Sequence, residues 1–599
     1  MLTRMMELMM GPPIRACTQT TNLLFLEYLI FSHIQVREPL YFCCRDDDLQ
    51  GETDQSARDA QDDPAAWHGG VTGRPLPITD GSTPTDFKFA TDCLSKCLSD
   101  HGNCSRTDVA HYLPTRVLDV GPPDGSQVPY LLLTEGLRGR YNTLSHCWGG
   151  HVPITTRSDN IREHMKAISM NDLPRTFRDA VYITRMLGIR YLWIDSLCIL
   201  QDSKDDWEKE SSNMGDVYKY SYLTIAARSA KNANDGCFFA RNQNIVTCQL
   251  EYRSPGLSAV GKIYIRHPEF ENERLDETPL DTRGWVLQEK LLSPRVLYYG
   301  AEQMYWECRQ ASVRQDGKFY NDSRGGVNET RWKEKLDIFA TYRSIWPWKY
   351  RYKASDLTDV SFERATRMQQ WYCLVEEYTM RRLTFDNDRL PAIAGIAKEW
   401  AKSTGLFYIA GLWREDLPAG LLWYRHGSIG EPSISDILPS WSWARYIGRI
   451  SFQASMGQAF AVSDYSCEFL NLFFRPSSAL GNYGEVLGAA LELRGRILPV
   501  LQTTRTSLGR DSVVIPYLIG HGGEEVGKAI FDQFVPQFTE LFVLLLHKSA
   551  GLVLTTMEHK KSTFLRVGYV DMKMGDSLFG IPGASSLFHH LEAQTVYLV

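Results

Sequence analysis

The sequence predicts an α/β fold, a parallel sheet with helices on both faces, followed by a helical and β-rich C-terminal extension. Three blocks carry that reading: YNTLSHCWGG at Tyr141 to Gly150, RYLWIDSLCILQDSKDDWEKE at Arg190 to Glu210, and RGWVLQEKLLSPR at Arg283 to Arg295. Each joins a strand or helix pattern to polar residues and tryptophans that a plain hydrophobic core does not call for, so together they also suggest a site.

Taken in order, Tyr141, Thr143 and Ser145 alternate with Asn142, Leu144 and His146 in a short β-prone run that ends at Trp148-Gly149-Gly150, a strand followed by a turn. In the next stretch Phe177, Ala180, Val181, Thr184 and Leu187 fall on one helix face. Pro174 and Gly188 punctuate that helix at its two ends, and Arg190 to Ile194 reads as a buried strand. Trp207, Ser211, Met214 and Tyr218 mark a second helix, and Tyr222 to Ala227 a third strand. Strand, helix, strand, helix, strand implies parallel pairing through right-handed crossovers.

Length and composition bound the rest. A chain of 599 residues exceeds the capacity of a single core, and at ~150 residues per domain it holds roughly three to four units. Lys and Arg total 65 against 71 Asp and Glu, a formal charge of -6, which offers no basic face for a phosphate backbone; no nucleic acid partner is expected. No run reaches the ~20 apolar residues of a membrane span. Glu27 interrupts the apolar stretch Leu23 to Phe31, and no small-residue cleavage site follows it. The chain is therefore expected to be soluble and cytoplasmic. Thirteen cysteines spread along such a length differ from a secreted disulfide framework, so free thiols are expected. Cys93, Cys97 and Cys104 lie near His101 and His111, but closed zinc sites usually show two tight ligand pairs. The reading is a helix with buried cysteines, and no metal is expected.

In a wound α/β sheet, ligands bind beyond the carboxyl ends of the strands, where Ser145 to Gly149 and Asp195 to Asp202 fall. Asp195 follows an apolar strand, where a carboxylate is costly unless it caps a turn, pairs with a cation or meets a ligand; both a structural and a functional reading stand. Asp202 precedes a helix, which favours an N-cap or first-turn acid over a ligand contact. Cys198 and Gln201 share the intervening loop, and a buried Cys is more often a small hydrophobe than a nucleophile. Adjacent residues on a strand face opposite ways, so His146 forms no local dyad with Ser145 or Cys147. Trp285 and Glu289, four residues apart, share one side of a helix. An aromatic beside a carboxylate raises its pKa towards neutrality and suits acid or base chemistry, although an amphipathic core helix with an exposed Glu reads the same way.

LSHCWG, LPRTFRDA, YLWIDSLCILQD and RGWVLQE, in that order, resemble the fungal heterokaryon incompatibility (HET) domain over about Tyr141 to Arg295. YTMRRLTFDNDRLPAIAGIAKEWA, GLWREDLPAGLLWYR and LPSWSWAR are similar to the extension that commonly follows it. The family more often carries Tyr where His146 stands and Ala where Ser221 stands. The resemblance implies a role in fungal nonself recognition and programmed cell death, with a homo-oligomer or an incompatibility partner protein. It also implies a flavodoxin-like, TIR-like sheet, since the family is remotely similar to TIR domains, some of which cleave NAD+. The TIR element with Trp four residues before a catalytic Glu resembles Trp285 and Glu289. On that likeness Glu289 and Asp195 are the catalytic candidates, and Ser145, Trp148, Gly149, Cys198, Gln201, Asp202 and Trp285 the residues that hold NAD+ as substrate, with no cofactor required. The alternative is a non-enzymatic signalling or oligomerisation module.

The expected organisation is an N-terminal segment, largely disordered or linker, over 1–87; a short helical lead-in over 88–140; the HET domain over 141–295; a mainly helical extension over 296–446; and a β-rich region over 447–599. Phe362 to Arg382 and Leu390 to Lys402 carry helical spacing, while Leu491 to Leu501, Leu541 to His547, Gly551 to Met557 and Phe564 to Val570 read as strands. Trp441 and Trp443, on one face of an extended segment, are expected to pack the β-rich unit onto the HET domain.

Overall fold

In the computed structural model the described residues are 41–44, 79–105, 110–150, 154–241, 246–253, 260–266, 278–316, 359–426, 438–452, 465–476, 481–484, 486–506, 514–533, 539–557, 560, 562–572 and 584–599. Most of the expected N-terminal linker lies outside them.

The central sheet is eight-stranded among these residues. Its strands are β1 (Arg116–Asp119), β2 (Tyr130–Leu133), β3 (Tyr141–Ser145), β4 (Tyr191–Trp193), β5 (Leu223–Ala226), β6 (Arg295–Tyr299), β7 (Met304–Cys308) and β8 (Ser312–Arg314), in the spatial order β8-β7-β6-β5-β3-β4-β1-β2. Strands β4, β3, β5 and β6 run parallel, as the alternation of strands and helices predicts. Both wings are antiparallel, which corrects the expectation of a wholly parallel sheet. The reason is local: ten residues join β1 to β2, and four and three join β6 through β7 to β8, whereas a parallel return needs a crossover of a dozen residues or more. The helical lead-in expected over 88–140 thus also supplies two strands of the sheet.

The helices take the faces that strand alternation assigns. On one face lies α2 (Arg175–Met186), reached by Asn142, whose amide donates to Thr184 at 3.4 Å, and by His146, whose ring meets Phe177 edge-on at 5.0 Å. The other face carries α3 (Lys204–Lys219) and α4 (Gly284–Leu292). Tyr141 donates to the Val217 carbonyl there at 2.6 Å, and Thr143 shares a 2.7 Å hydrogen bond with Thr224. Side chains of period two split β3 cleanly between the layers. Upstream, α1 (Pro84–Asp100) begins at the capping box formed by Thr83 and Asp86 and packs against β7. It starts inside the stretch assigned to the linker, and Phe87 is buried in the core. Cys97 and Cys104 are buried as expected, yet together with His101 they meet Cys308 at the end of β7.

Beyond the sheet, α5 (Asp359–Thr379) and α6 (Pro391–Thr404) build the helical extension. Helix α6 crosses α3 where Gly395 meets Gly215: a Cβ on Gly215 would stand 2.8 Å from the Gly395 Cα. Glycine at both positions lets the backbones approach, and α6 also packs on α4. A mixed aromatic cluster of Trp371, Trp400, Tyr408 and Trp413 fills this layer.

The C-terminal region contains a six-stranded antiparallel barrel. It runs through β11 (Ile497–Thr506), β12 (Val514–Gly520), β13 (Glu525–Phe531), β14 (Leu541–His547), β15 (Ala550–Thr556) and β16 (Thr563–Asp571), and closes where β15 pairs with β16. Strands β9 (Glu468–Pro476), β10 (Val486–Gly495) and β17 (Gln594–Leu598) extend it from β16. Closure removes the free edges that the hydrophobic runs Leu541 to His547 and Gly551 to Met557 would otherwise present. Trp441 and Trp443 are fully buried, but in turns rather than in an extended segment. Trp443 donates to the Gly411 carbonyl at 2.8 Å, Trp423 donates to the Trp441 carbonyl at 3.0 Å, and the neighbouring Ser440 amide bonds Val599. Those partners tie the helical extension to the barrel rather than to the sheet domain.

Candidate functional site

Strand order creates the site. The crossover from β3 leads to β4 on one side and the crossover from β5 leads to β6 on the other, so these two neighbours form the switch point of the sheet, where their last residues, Ser145 and Ala226, are in register and fully buried. Gly149 closes the β3 turn at φ 69°, and a Cβ there would lie 2.1 Å from the Asn232 Cβ in the loop after β5. Only glycine meets both demands.

Ser145 points towards α4 and donates to Glu289 Oε2 at 2.5 Å. Tyr218, on α3, also hydrogen-bonds Glu289 and donates to the Leu144 carbonyl at 3.3 Å. Glu289 is 2% exposed, and burial pushes its pKa up from 4.5 to about 7 against the opposing pull of Arg283 and Ser145. The shielding is general. From Val286 to Leu292 every residue of α4 is buried, because the sheet covers one side and α6 the other, where Gln288 accepts from the Gly395 amide at 2.6 Å. This corrects the amphipathic reading: a helix enclosed on all sides has no exposed face on which to place Glu289. The Trp285 indole N–H is committed elsewhere, donating to Asp388 at 3.0 Å.

Asp195 stands two residues beyond the end of β4. Its Oδ2 accepts from the Trp148 indole at 2.8 Å, and its Oδ1 accepts from the Ser196 amide at 2.7 Å. His146 Nδ1 lies 3.9 Å from the same carboxylate. Complete burial lowers the His146 pKa to about 4, with Asp195 opposing and Arg283 reinforcing the shift, so the imidazole is neutral at pH 7. Arg283, at the N-cap of α4, donates to the His146 carbonyl and supplies the nearby positive charge. Two carboxylates of unlike environment, a guanidinium, a neutral imidazole, a serine and a tyrosine therefore converge at one sheet rim. A buried carboxyl near neutrality can hold or release a proton at pH 7, and when ionised it stabilises an adjacent cation.

Not every candidate joins this group. Cys198 is buried in the core, its thiol pushed up to about 12 by burial, which removes it as a nucleophile at neutral pH. Gln201 turns its amide to the Ile199 carbonyl at 3.0 Å and the Asp195 carbonyl at 3.4 Å, bracing the turn beneath Asp195. Asp202 is engaged by Ser158, through its amide at 3.0 Å and its hydroxyl at 3.2 Å, while Ser203 is the N-cap of α3. Sequence reasoning assigned no role to Arg283 or Tyr218. Arg283 opens the RGW block, a charge that the sequence displays six residues before Glu289; Tyr218 reads as one more member of an apolar stripe.

Residues 141–289 match the family model described as heterokaryon incompatibility protein (HET). No curated protein and no solved structure gives a match. No helix among the described residues is long and apolar enough to cross a membrane.

Proposed function

The chain carries a heterokaryon incompatibility (HET) domain over residues 141–289, and from that premise we propose that it is a cytoplasmic effector of fungal nonself recognition and programmed cell death that cleaves NAD+. The reading draws support from the order of the four parallel strands, β4-β3-β5-β6, which agrees with the first four strands of a flavodoxin-like sheet. It rests on one observation above the others: Glu289 is enclosed, bonded to Ser145, and held near neutrality. In the reaction the bond between ribose C1′ and the nicotinamide nitrogen breaks, and the electron pair leaves with nicotinamide. Ionised Glu289 stabilises the ribosyl cation, water adds at C1′, and ADP-ribose and a proton are released. Purified protein should release nicotinamide from NAD+, and Glu289→Gln should abolish that release while the far-UV spectrum persists and the melting temperature does not fall. Unchanged NAD+ with folded wild-type protein that still kills cells sinks the enzymatic reading.

One observation favours a second reading. At 2% exposure Glu289 lies beneath the extension, where Gly284 bonds the Arg382 carbonyl at 2.8 Å. A non-enzymatic signalling or oligomerisation module would need the carboxyl only for packing. In that case killing survives Glu289→Gln and fails when a contact between copies or with an incompatibility partner is broken.

A further inference from the structure

Helix α1 ends in a group of soft donors of which the sequence offers Cys97, His101 and Cys104 but not the fourth, Cys308. Cys97 sits in the last turn of α1, His101 is its C-cap, and Cys104 follows in the one-turn helix Gly102–Ser105. The fourth member, Cys308, comes from the end of β7, and its Sγ lies 3.3 Å from His101 Nδ1 across 207 residues of sequence. All four donor atoms lie within 4.8 Å of one another, and the three cysteines are 0% exposed. Ligands at Zn–S ~2.3 Å and Zn–N ~2.0 Å in a tetrahedron stand about 3.5–3.8 Å apart, so this group needs only small side-chain adjustments to close on one ion.

We propose that Cys97, His101, Cys104 and Cys308 form a structural zinc site that fastens α1 to the antiparallel wing of the sheet. The proposal revises the expectation of a metal-free helix of buried thiols. Donor chemistry selects the metal: three thiolates and one imidazole make a closed, soft, four-coordinate set with no position left for water, which is the pattern of structural zinc. Charge balance points the same way. Three thiolates with Zn2+ carry one net negative charge, and the fully buried Arg295 donates through Nε to the Cys97 Sγ at 3.3 Å. Its other nitrogens reach the Cys104 carbonyl at 2.9 Å and the Tyr222 carbonyl at 3.1 Å, so the guanidinium holds both the sulfur and the loop that carries the third ligand. Hydrogen bonds of this kind orient zinc ligands and tune their charge. Arg295 is also the first residue of β6, so the site links α1, β6 and β7. Cys93, one turn earlier on α1 and only half-buried, lies outside the set, as does His111, whose ring is against Tyr220 at 4.6 Å.

The test uses the full chain, purified with zinc present and dialysed against metal-free buffer. Elemental analysis should find one zinc per chain, and X-ray absorption on the wild type should give three sulfur neighbours and one nitrogen. Cys308→Ser should lose the metal, and Cys93→Ser should keep it. If Cys308→Ser fails to fold, the wild-type stoichiometry and coordination shell still decide. Folded wild type without zinc, a shell lacking sulfur, iron in place of zinc, or a disulfide within the cluster overturns the assignment.

Discussion

Replacing Glu289 by Gln tests the electrostatics of the site separately from any activity. In the unfolded chain the carboxyl titrates near 4.5, and in the folded protein at about 7. Below pH 4.5 both states carry the proton and ionisation adds nothing to the balance. As pH rises towards 7 the unfolded chain gives up the proton while the folded one keeps it, so stability falls; above 7 both are ionised and the loss is constant. The gap from 4.5 to about 7, at ~1.4 kcal/mol for each pH unit, amounts to about 3 kcal/mol. Gln fills the same space, can accept from Ser145 and does not titrate. Wild type and variant should therefore be nearly equal in stability at pH 4.5, with the variant ahead by about 3 kcal/mol at pH 8. Urea unfolding at several pH values, read beside hydrogen exchange of the α4 amides, measures the difference locally in a chain of several units. A stability difference that does not change between pH 4.5 and 8 refutes the claim that this carboxyl is desolvated, and with it the basis for its chemistry.

Other outcomes follow from the same arrangement. If ionised Glu289 stabilises the ribosyl cation, nicotinamide release should rise with pH through about 7 and then level off in a pH–rate profile. Ser145→Ala removes a hydrogen bond that lowers the Glu289 pKa, so the midpoint of that profile should move to higher pH. Gly149→Ala places a Cβ 2.1 Å from the Asn232 Cβ on a left-handed backbone. The conformation alone costs about 1–2 kcal/mol, so the variant should melt several degrees lower and lose the Trp148 contact, visible in its fluorescence. In the barrel, Asp532 and Arg566 pair at 2.8 Å with neither side chain exposed, although burial pushes the Asp532 pKa up against the pull of its partner. Asp532→Ala leaves the guanidinium buried without that partner and should cost about 3–5 kcal/mol in chemical denaturation.

The sequence by itself determined the local frame. Alternation through Tyr141 to His146 assigned Ser145 and His146 to opposite faces, and helical spacing from Phe177 to Leu187 placed the helix that His146 meets. These are decisions of period two and period 3.6, made by neighbours in the chain. Tertiary structure decided the rest. Glu289 owes its environment to Gly395 and Gly215, which let α6 approach closely enough to seal α4, and no pattern within RGWVLQE records that enclosure. The antiparallel wings and the barrel closure likewise depend on which strand finds which partner. Cys308 reaches His101 only because β7 packs against α1. Burial and charge pairing arise from contacts between distant segments, and a sequence read through local windows carries little of that information.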